Sequence, residues 1–410
     1  MSLSFDVLKN HNFRLLVLMR MLCNMALHSL AVIVGWQIYT LTDSALMLGL
    51  IGLTEAVPAI IGSLFSGYVV DKSTPHHIYT VCIGTLVFNM AFMLMIGGEF
   101  LHLPHETLVP LLFLGIFISG VARSFMMPAH FSITPQIIDR KDYSAANAWA
   151  NTGFQISAIC GPILAGLVYG FYGVTSAWIL PISFMTLGFC CVISFKNLRQ
   201  YEKFEQIGSA FKNIIDGWKF IIQNRMLLTV MIVDMVAVLF GGAVALLPAF
   251  ADEILEVGPE GLGLLRTAPG IGAIFTALYF ALRPMTIFPL TRMLWAVSGF
   301  GVCIIGFGLS TSFYLSIFFL ALSGLFDTIS VIIRVTLKQL LTPDNMRGRV
   351  SAISSMFIIS SNEIGAFESG VVAKLMGLAP SVVFGGLMSL IVAGTTYIVT
   401  PNLRKTIIKE

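Results

Sequence analysis

Nine ionisable residues stand inside long apolar runs of this 410-residue chain: Arg20, Glu55, Arg123, Asp234, Arg266, Asp327, Arg334, Glu363 and Glu368. A charge in hydrocarbon costs about 2.5–3.5 kcal/mol or more on insertion scales, so each needs a partner, a water-filled cavity or a task. The chemistry open to them is ion pairing, anion binding and proton carriage. Glu55 and Glu363 lie in the middle of their runs, where a carboxylate removed from bulk water can take a proton from one side and release it to the other. They lead the proton-carrier candidates in that order, with Asp234 third. A neutral glutamic acid hydrogen-bonded to a backbone carbonyl is the structural alternative at each. Asp327 has Arg334 two turns along the same run, placed to hold its charge. Arg266 and Glu368 lie nearer the ends of their runs, where a long side chain can snorkel to water. Asn24 and His28 follow Arg20 by one and two helical turns on a similar face, and Gln155 and Asn362 add polar groups near mid-depth. These four are candidates to line a cargo cavity, although a lone histidine also suits a hydrogen-bonded structural role.

The elements that carry these residues are apolar throughout. Hydrophobic residues make up 57% of the chain and charged residues only 11%, against about 25% charged in soluble domains. Mean hydropathy is +0.88. Stretches long enough to cross about 30 Å of hydrocarbon recur along the chain, and we place twelve spans between Phe13 and Thr400. Among them, Ser144–Phe171 is the fifth, Ser176–Phe195 the sixth and Met226–Phe250 the seventh. The first span is too long for a signal-peptide core and is expected to be retained. The six cysteines all fall within spans, without metal-ligand or disulfide-framework spacing. No P-loop, nucleophile elbow or His-Glu-x-x-His is present, so neither an enzyme, a cofactor nor a metal is expected. The net charge of +3 gives no reason to expect nucleic acid.

The chain also repeats itself. Gly120–Gly166 aligns without gaps on Gly324–Gly370 at an offset of 204, and Arg20–Leu64 on Asp234–Leu278 at an offset of 214. The expected organisation is a six-helix half over residues 1–195, a linker over 196–225 and a second six-helix half over 226–410. Within the linker, Phe204, Ile207, Phe211, Ile214, Ile215 and Trp218 recur at helical spacing among Lys212, Asp216 and Lys219, which suits a helix lying on the membrane surface. With both termini cytoplasmic, most lysines and arginines fall in the inner loops, and the connection from span seven to span eight is acidic, with Asp252, Glu253, Glu256 and Glu260. At the two offsets Arg20 falls on Asp234 and Arg123 on Asp327, so equivalent positions carry opposite charge.

Two six-helix halves joined by a basic linker resemble the major facilitator superfamily. Gly67, Asp71 and Lys72 are similar to the opening of the family's loop motif, whereas the glycine and basic pair that follow there are replaced by Ser73-Thr74-Pro75-His76-His77. Gly161, Pro162 and Gly166 resemble the Gly-Pro-x-x-Gly-Gly core seen in proton-coupled exporters, with Ala148 and Ser157 where upstream glycines are usual. Helix packing alone also accounts for that pattern. Lys9–Arg14, Pro135–Ile138 with Ala145–Ala148, and Thr342–Val350 are similar to the superfamily's siderophore-exporter branch, which also contains drug exporters. The resemblance implies an all-α membrane protein with halves related by pseudo-twofold symmetry, acting as a monomer in the bacterial inner membrane and surrounded by membrane lipid. It implies export of an amphipathic small-molecule cargo, siderophore or drug-like, in exchange for protons by alternating access. A lipid or lysolipid flippase of the same fold, or a non-transporting receptor or scaffold, are the other readings. Because spans one, four, seven and ten line the cavity in this superfamily, Arg20 with Asp234, and Arg123 with Asp327, are expected to pair when the cytoplasmic side closes. Pairing of each charge within its own half, or direct binding of anionic cargo by the arginines, are the alternatives.

Overall fold

The computed structural model describes residues 5–139, 142–196, 198, 210–282, 289–343 and 346–404, and among these no strand occurs. Twelve helices account for nearly all of them: α1 (His11–Thr42), α2 (Ala45–Lys72), α3 (Pro75–Gly97), α4 (His105–Ile137), α5 (Tyr143–Ile193), α6 (Ala210–Gln223), α7 (Arg225–Phe240), α8 (Pro259–Leu282), α9 (Pro289–Gly308), α10 (Phe313–Leu341), α11 (Arg347–Met376) and α12 (Leu378–Val399). Helix is the form such apolar sequence must take in hydrocarbon, since it satisfies each backbone group within the segment. Between α7 and α8, a 3-10 turn over Gly242–Leu246 and a π turn over Phe250–Ile254 carry the apolar run to its acidic end.

Eleven helical runs among the described residues are long and apolar enough to cross a membrane. One of them, Ala145–Ile193, has 49 residues, over twice what a bilayer core of about 30 Å requires at about 1.5 Å per residue. It holds the fifth and sixth spans, joined at Gly173, where φ is 80° and ψ 175°. Gly377, at the equivalent position of the second copy, has φ 94° and ψ 165° and separates α11 from α12. Only glycine takes this backbone conformation without strain. The same joint therefore occurs in both copies.

Other contacts repeat in the same way. A Cβ added at Gly161 would lie 3.0 Å from Met25 O in α1, and one at Gly365 would lie 2.5 Å from Leu239 O in α7. Gly120 faces Glu55 O in α2 at 2.7 Å, and Gly324 faces Pro269 O in α8. Gly166 meets Gly263 Cα at 2.9 Å, and Gly370 meets Gly49 Cα at 2.8 Å. Every partner pair differs by 204 on one side and 214 on the other. Even the caps agree: Asn10 accepts from Phe13 N at 3.2 Å to start α1, and Asn224 accepts from Leu227 N at 3.1 Å to start α7.

The chain divides into two compact units. One comprises Met1–Asp43, Thr54–Phe204 and Glu256–Thr267; the other comprises Ser44–Leu53, Glu205–Leu255 and Ala268–Glu410. The first unit thus takes in the opening turns of α8, and the second those of α2. In the first unit, Gln37 donates to Gly97 O at 2.8 Å and accepts from Trp178 Nε1 at 3.0 Å, tying α1, α3 and α5 through buried polar groups. Ser157, where a motif glycine is usual, donates to Met21 O at 2.8 Å, so the hydroxyl itself bridges α5 to α1. Asn12 clasps the end of α5, donating to Lys196 O at 2.6 Å and accepting from Lys196 N at 3.1 Å.

In the second unit, α6 turns its apolar stripe onto protein. Trp218 stacks near Phe357 at 5.2 Å, Ile221 is buried in the core with Leu227 and Ile353, and Asp216 accepts from Arg349 at 3.2 Å. Ile215 and Ile222 remain exposed. Of the stripe read in the linker, Trp218 thus docks on α11 and Ile215 stays exposed, whereas Phe204, Ile207 and the side chains of Phe211 and Ile214 lie outside what is described.

Overpacking a helix seam costs about 1–3 kcal/mol. Gly120→Val and Gly324→Val, which drive a side chain into a facing carbonyl, are expected to lower stability by about that much each, measured as thermal unfolding in detergent. Gly394→Ala, with nothing within 4 Å of its Cβ, should be neutral or stabilising by up to about 1 kcal/mol.

Candidate functional site

The polar groups of the first unit converge where α1, α5 and the opening turns of α8 meet. Arg20, Asn24 and His28 follow one another at one-turn spacing on α1, each half-buried. The His28 ring makes an edge contact with Phe154 of α5, centroids 5.8 Å apart, and its Cβ lies against Gly161. Gly161 is thereby the notch that admits His28, a task the motif's glycine performs together with close helix approach. Gly263 of α8 packs against Pro162 and Gly166. Four residues on, Thr267 donates to Ile159 O at 3.2 Å. Arg266 stands beside these two anchors, within electrostatic reach of His28, as is Arg123. Gln155 is half-buried on α5, and Asn362 is exposed on α11 in the other unit.

Among the described residues, ion pairs hold four intramembrane charges, each pair inside one unit. Arg123 of α4 pairs with Glu55 of α2, their side chains 42% and 23% exposed. Arg334 of α10 pairs with Asp234 of α7, 10% and 5% exposed, and Ser330 donates to the same aspartate at 3.3 Å. Arg123 and Asp234, expected to meet partners from the other copy, thus hold partners from their own unit here. Arg334, placed by spacing beside Asp327, instead turns to Asp234 because α7 and α10 pack face to face. Asp327 is half-buried. The Glu363 carboxylate lies against Gly52 of α2, where an added Cβ would stand 3.2 Å from Oε2. Glu368 accepts from Ser369 at 3.4 Å.

The Arg123–Glu55 pair follows from how α4 meets α2, which spacing within a single span does not reveal. Gly120 presses α4 onto the carbonyl of Glu55 itself, and Arg123 lies three residues further on the same face. Of the loop motif, Lys72 closes α2 and is exposed, whereas Gly67 and Asp71 fall where side-chain surroundings are not described. Arg140, Lys141, Asp344 and Asn345 lie outside the described residues. Arg349, from the stretch resembling the exporter branch, is the residue that ties α11 to α6.

Repeated bundles of membrane-crossing helices, with charges and polar groups gathered at their seams, form a membrane transporter of the major facilitator fold. The family model described as transmembrane secretion effector matches residues 2–406, and the chain belongs to this family within the major facilitator superfamily. The enterobactin exporter EntS of Escherichia coli O1:K1 / APEC is 23% identical over 404 residues, covering 98% of this chain and 95% of the relative. Among solved structures, a bacterial homolog of the human lysosomal transporter Spinster, inward-facing and unoccupied, superposes with a TM-score of 0.74 at 11% identity, covering 95% of this chain and 97% of that one. The inward-open xylose transporter XylE from E. coli gives 0.68 at 13% identity, with 95% of each chain covered. The chain is a multi-pass membrane transporter, and its relatives are transporters rather than enzymes.

Removing one member of a buried pair strands the other charge at a cost of about 3–5 kcal/mol, whereas removing both is often near neutral. Asp234→Leu is expected to destabilise by that amount in detergent unfolding, and Asp234→Leu with Arg334→Leu to recover most of it. Arg123→Leu should cost less, because its pair is more exposed.

Proposed function

We propose that this transporter exports an amphipathic small molecule, a siderophore first among candidates, in exchange for protons and by alternating access, working as a monomer in the bacterial inner membrane with both termini cytoplasmic. The cargo class draws on the full-length similarity to enterobactin exporters. The observation that carries the coupling is the Glu55–Arg123 pair, an intramembrane carboxylate held by an arginine and still partly accessible. A proton taken up by Glu55 removes the negative charge that holds Arg123 and frees the guanidinium for another acid. In this reading that acid is Asp327, and Asp234 passes from Arg334 to Arg20. The two exchanges make the inner gate, worked by the halves at 1–195 and 226–410 and allowed by the linker at 196–225. Glu363 and then Asp234 stand next as carriers, and Asn24, His28, Gln155 and Asn362 face the cargo.

A second reading, movement of a lysolipid, draws on an apolar groove of about 320 Å³ in the first unit, lined by Val69, Val81, Thr85, Phe117, Val121 and Phe125. Such a groove suits an acyl chain.

Proteoliposomes with an imposed pH gradient test both, using enterobactin, a cationic drug and a lysolipid in parallel. Gradient-driven flux of enterobactin is expected, and Glu55→Gln should reduce it at least about tenfold while leaving cargo binding in place. Full gradient-driven flux in Glu55→Gln excludes Glu55 as carrier. If Arg20→Asp with Asp234→Arg restores nothing lost in the single variants, the first gate pair is abandoned. Absence of gradient-dependent flux of any class favours a scaffold.

A further inference from the structure

Arg266 is an intramembrane charge to which no described residue of the first unit supplies an acid. Its Nε is buried and without a hydrogen-bond acceptor, and among the described residues no ion pair forms at its guanidinium. The nearby groups cannot supply one. His28 carries no negative charge in either protonation state, and Glu55 is taken by Arg123. Glu260, on the same helix, lies over Gly170 and Gly258. Arg266 as a whole is half-buried, so its Nε is enclosed while the residue keeps some open space in front of it. The backbone around Arg266 is also fixed, by Gly263 against Pro162 and Gly166 and by Thr267 on Ile159 O, so the side chain is presented rather than left to wander.

The duplication shows what is missing. Position 266 corresponds to Gly52 in the other copy, and the space in front of Gly52 is filled by Ala366 and the carboxylate of Glu363. The equivalents of those two residues, at an offset of 204, are Pro162 and Ile159. One copy therefore has an acid and no arginine at this seam, and the other has the arginine and no acid.

We infer that Arg266 binds an anionic group of the transported molecule, a carboxylate or phenolate, which takes the place that the Glu363 carboxylate holds in the second copy. The inference rests on the transport reading for its cargo but not for its test. A guanidinium presents several donors in one plane and recognises such groups by charge-assisted hydrogen bonds. The exposed face of Phe154 and the His28 ring beside it suit an aromatic body carrying that charge.

The probes are 1-naphthoate, 1-naphthylmethanol and 1-naphthylmethylamine, which share a ring and differ in charge, titrated onto the full-length protein in nanodiscs. The expected result is naphthoate bound about tenfold or more tighter than the alcohol, the value of a charge-assisted hydrogen bond, with the amine weakest. Arg266→Gln should bring naphthoate to the affinity of the alcohol, whose own binding stays unchanged, and Arg266→Lys should keep most of the preference. Ile159→Glu, which supplies in place the acid of the other copy, should abolish naphthoate binding with Arg266 intact and raise the unfolding temperature, so the test survives if Arg266→Gln fails to fold. No anion preference in the unaltered protein, or a preference indifferent to both substitutions, would overturn the site. Binding needs no gradient: an Arg266-dependent preference without gradient-driven flux of any of the three cargoes sinks the exporter reading and supports the site, whereas flux with an Arg266-independent preference sinks the site alone.

Discussion

Everything in this molecule depends on how closely its helices can approach. In a bilayer, lipid tails are as apolar as leucine, so burying apolar side chains between helices gains little over leaving them in lipid. Association must come from contact at short range, and short range requires that one helix have no side chain where the other arrives. Gly120, Gly161 and Gly166 provide that in the first unit, and Gly324, Gly365 and Gly370 in the second, each against a backbone carbonyl or another glycine. At such distances weak Cα–H···O contacts and dispersion become available along the seam. The seams then decide where charges can stand. Arg123 follows Gly120 by three residues and finds Glu55, whose carbonyl that glycine touches; Arg266 follows Gly263 by three and stands at the α5 seam.

The glycines that trace the duplication are also the positions at which its helices touch. A leucine at most lipid-facing positions can become valine, phenylalanine or methionine without penalty, which is why so little identity survives between the copies. Gly173 and Gly377 cannot change so freely, since their positive φ excludes a side chain, and the seam glycines cannot because a carbonyl stands in the way. Even the helix starts were kept, with Asn10 and Asn224 accepting from the same relative donor.

The same contrast explains how much was legible before the structure. Span count and the two repeats followed from composition and glycine spacing, because both express constraints that act on single positions. Partners did not follow, because pairing depends on the rotational phase of two helices about their own axes. Aligning the copies compared Arg123 with Asp327 and Arg20 with Asp234, which are equivalent positions. It could not show that Arg123 turns toward α2 or that Arg334 turns past its own helix neighbour Asp327 to Asp234. The stripe on α6 was legible as amphipathic, whereas its docking on Phe357 and Arg349 belonged to tertiary structure.

Duplication fixes backbone contacts and leaves side chains beside them free to diverge, and that freedom is where transport chemistry can arise. Two identical seams would present identical charges; here the copies have diverged at equivalent positions. One seam offers His28 and Arg266, where its counterpart offers Gly242 and Gly52 with the Glu363 carboxylate beside it. Equivalent positions of the two copies thus carry opposite charge, a divergence that the shared backbone contacts neither require nor prevent.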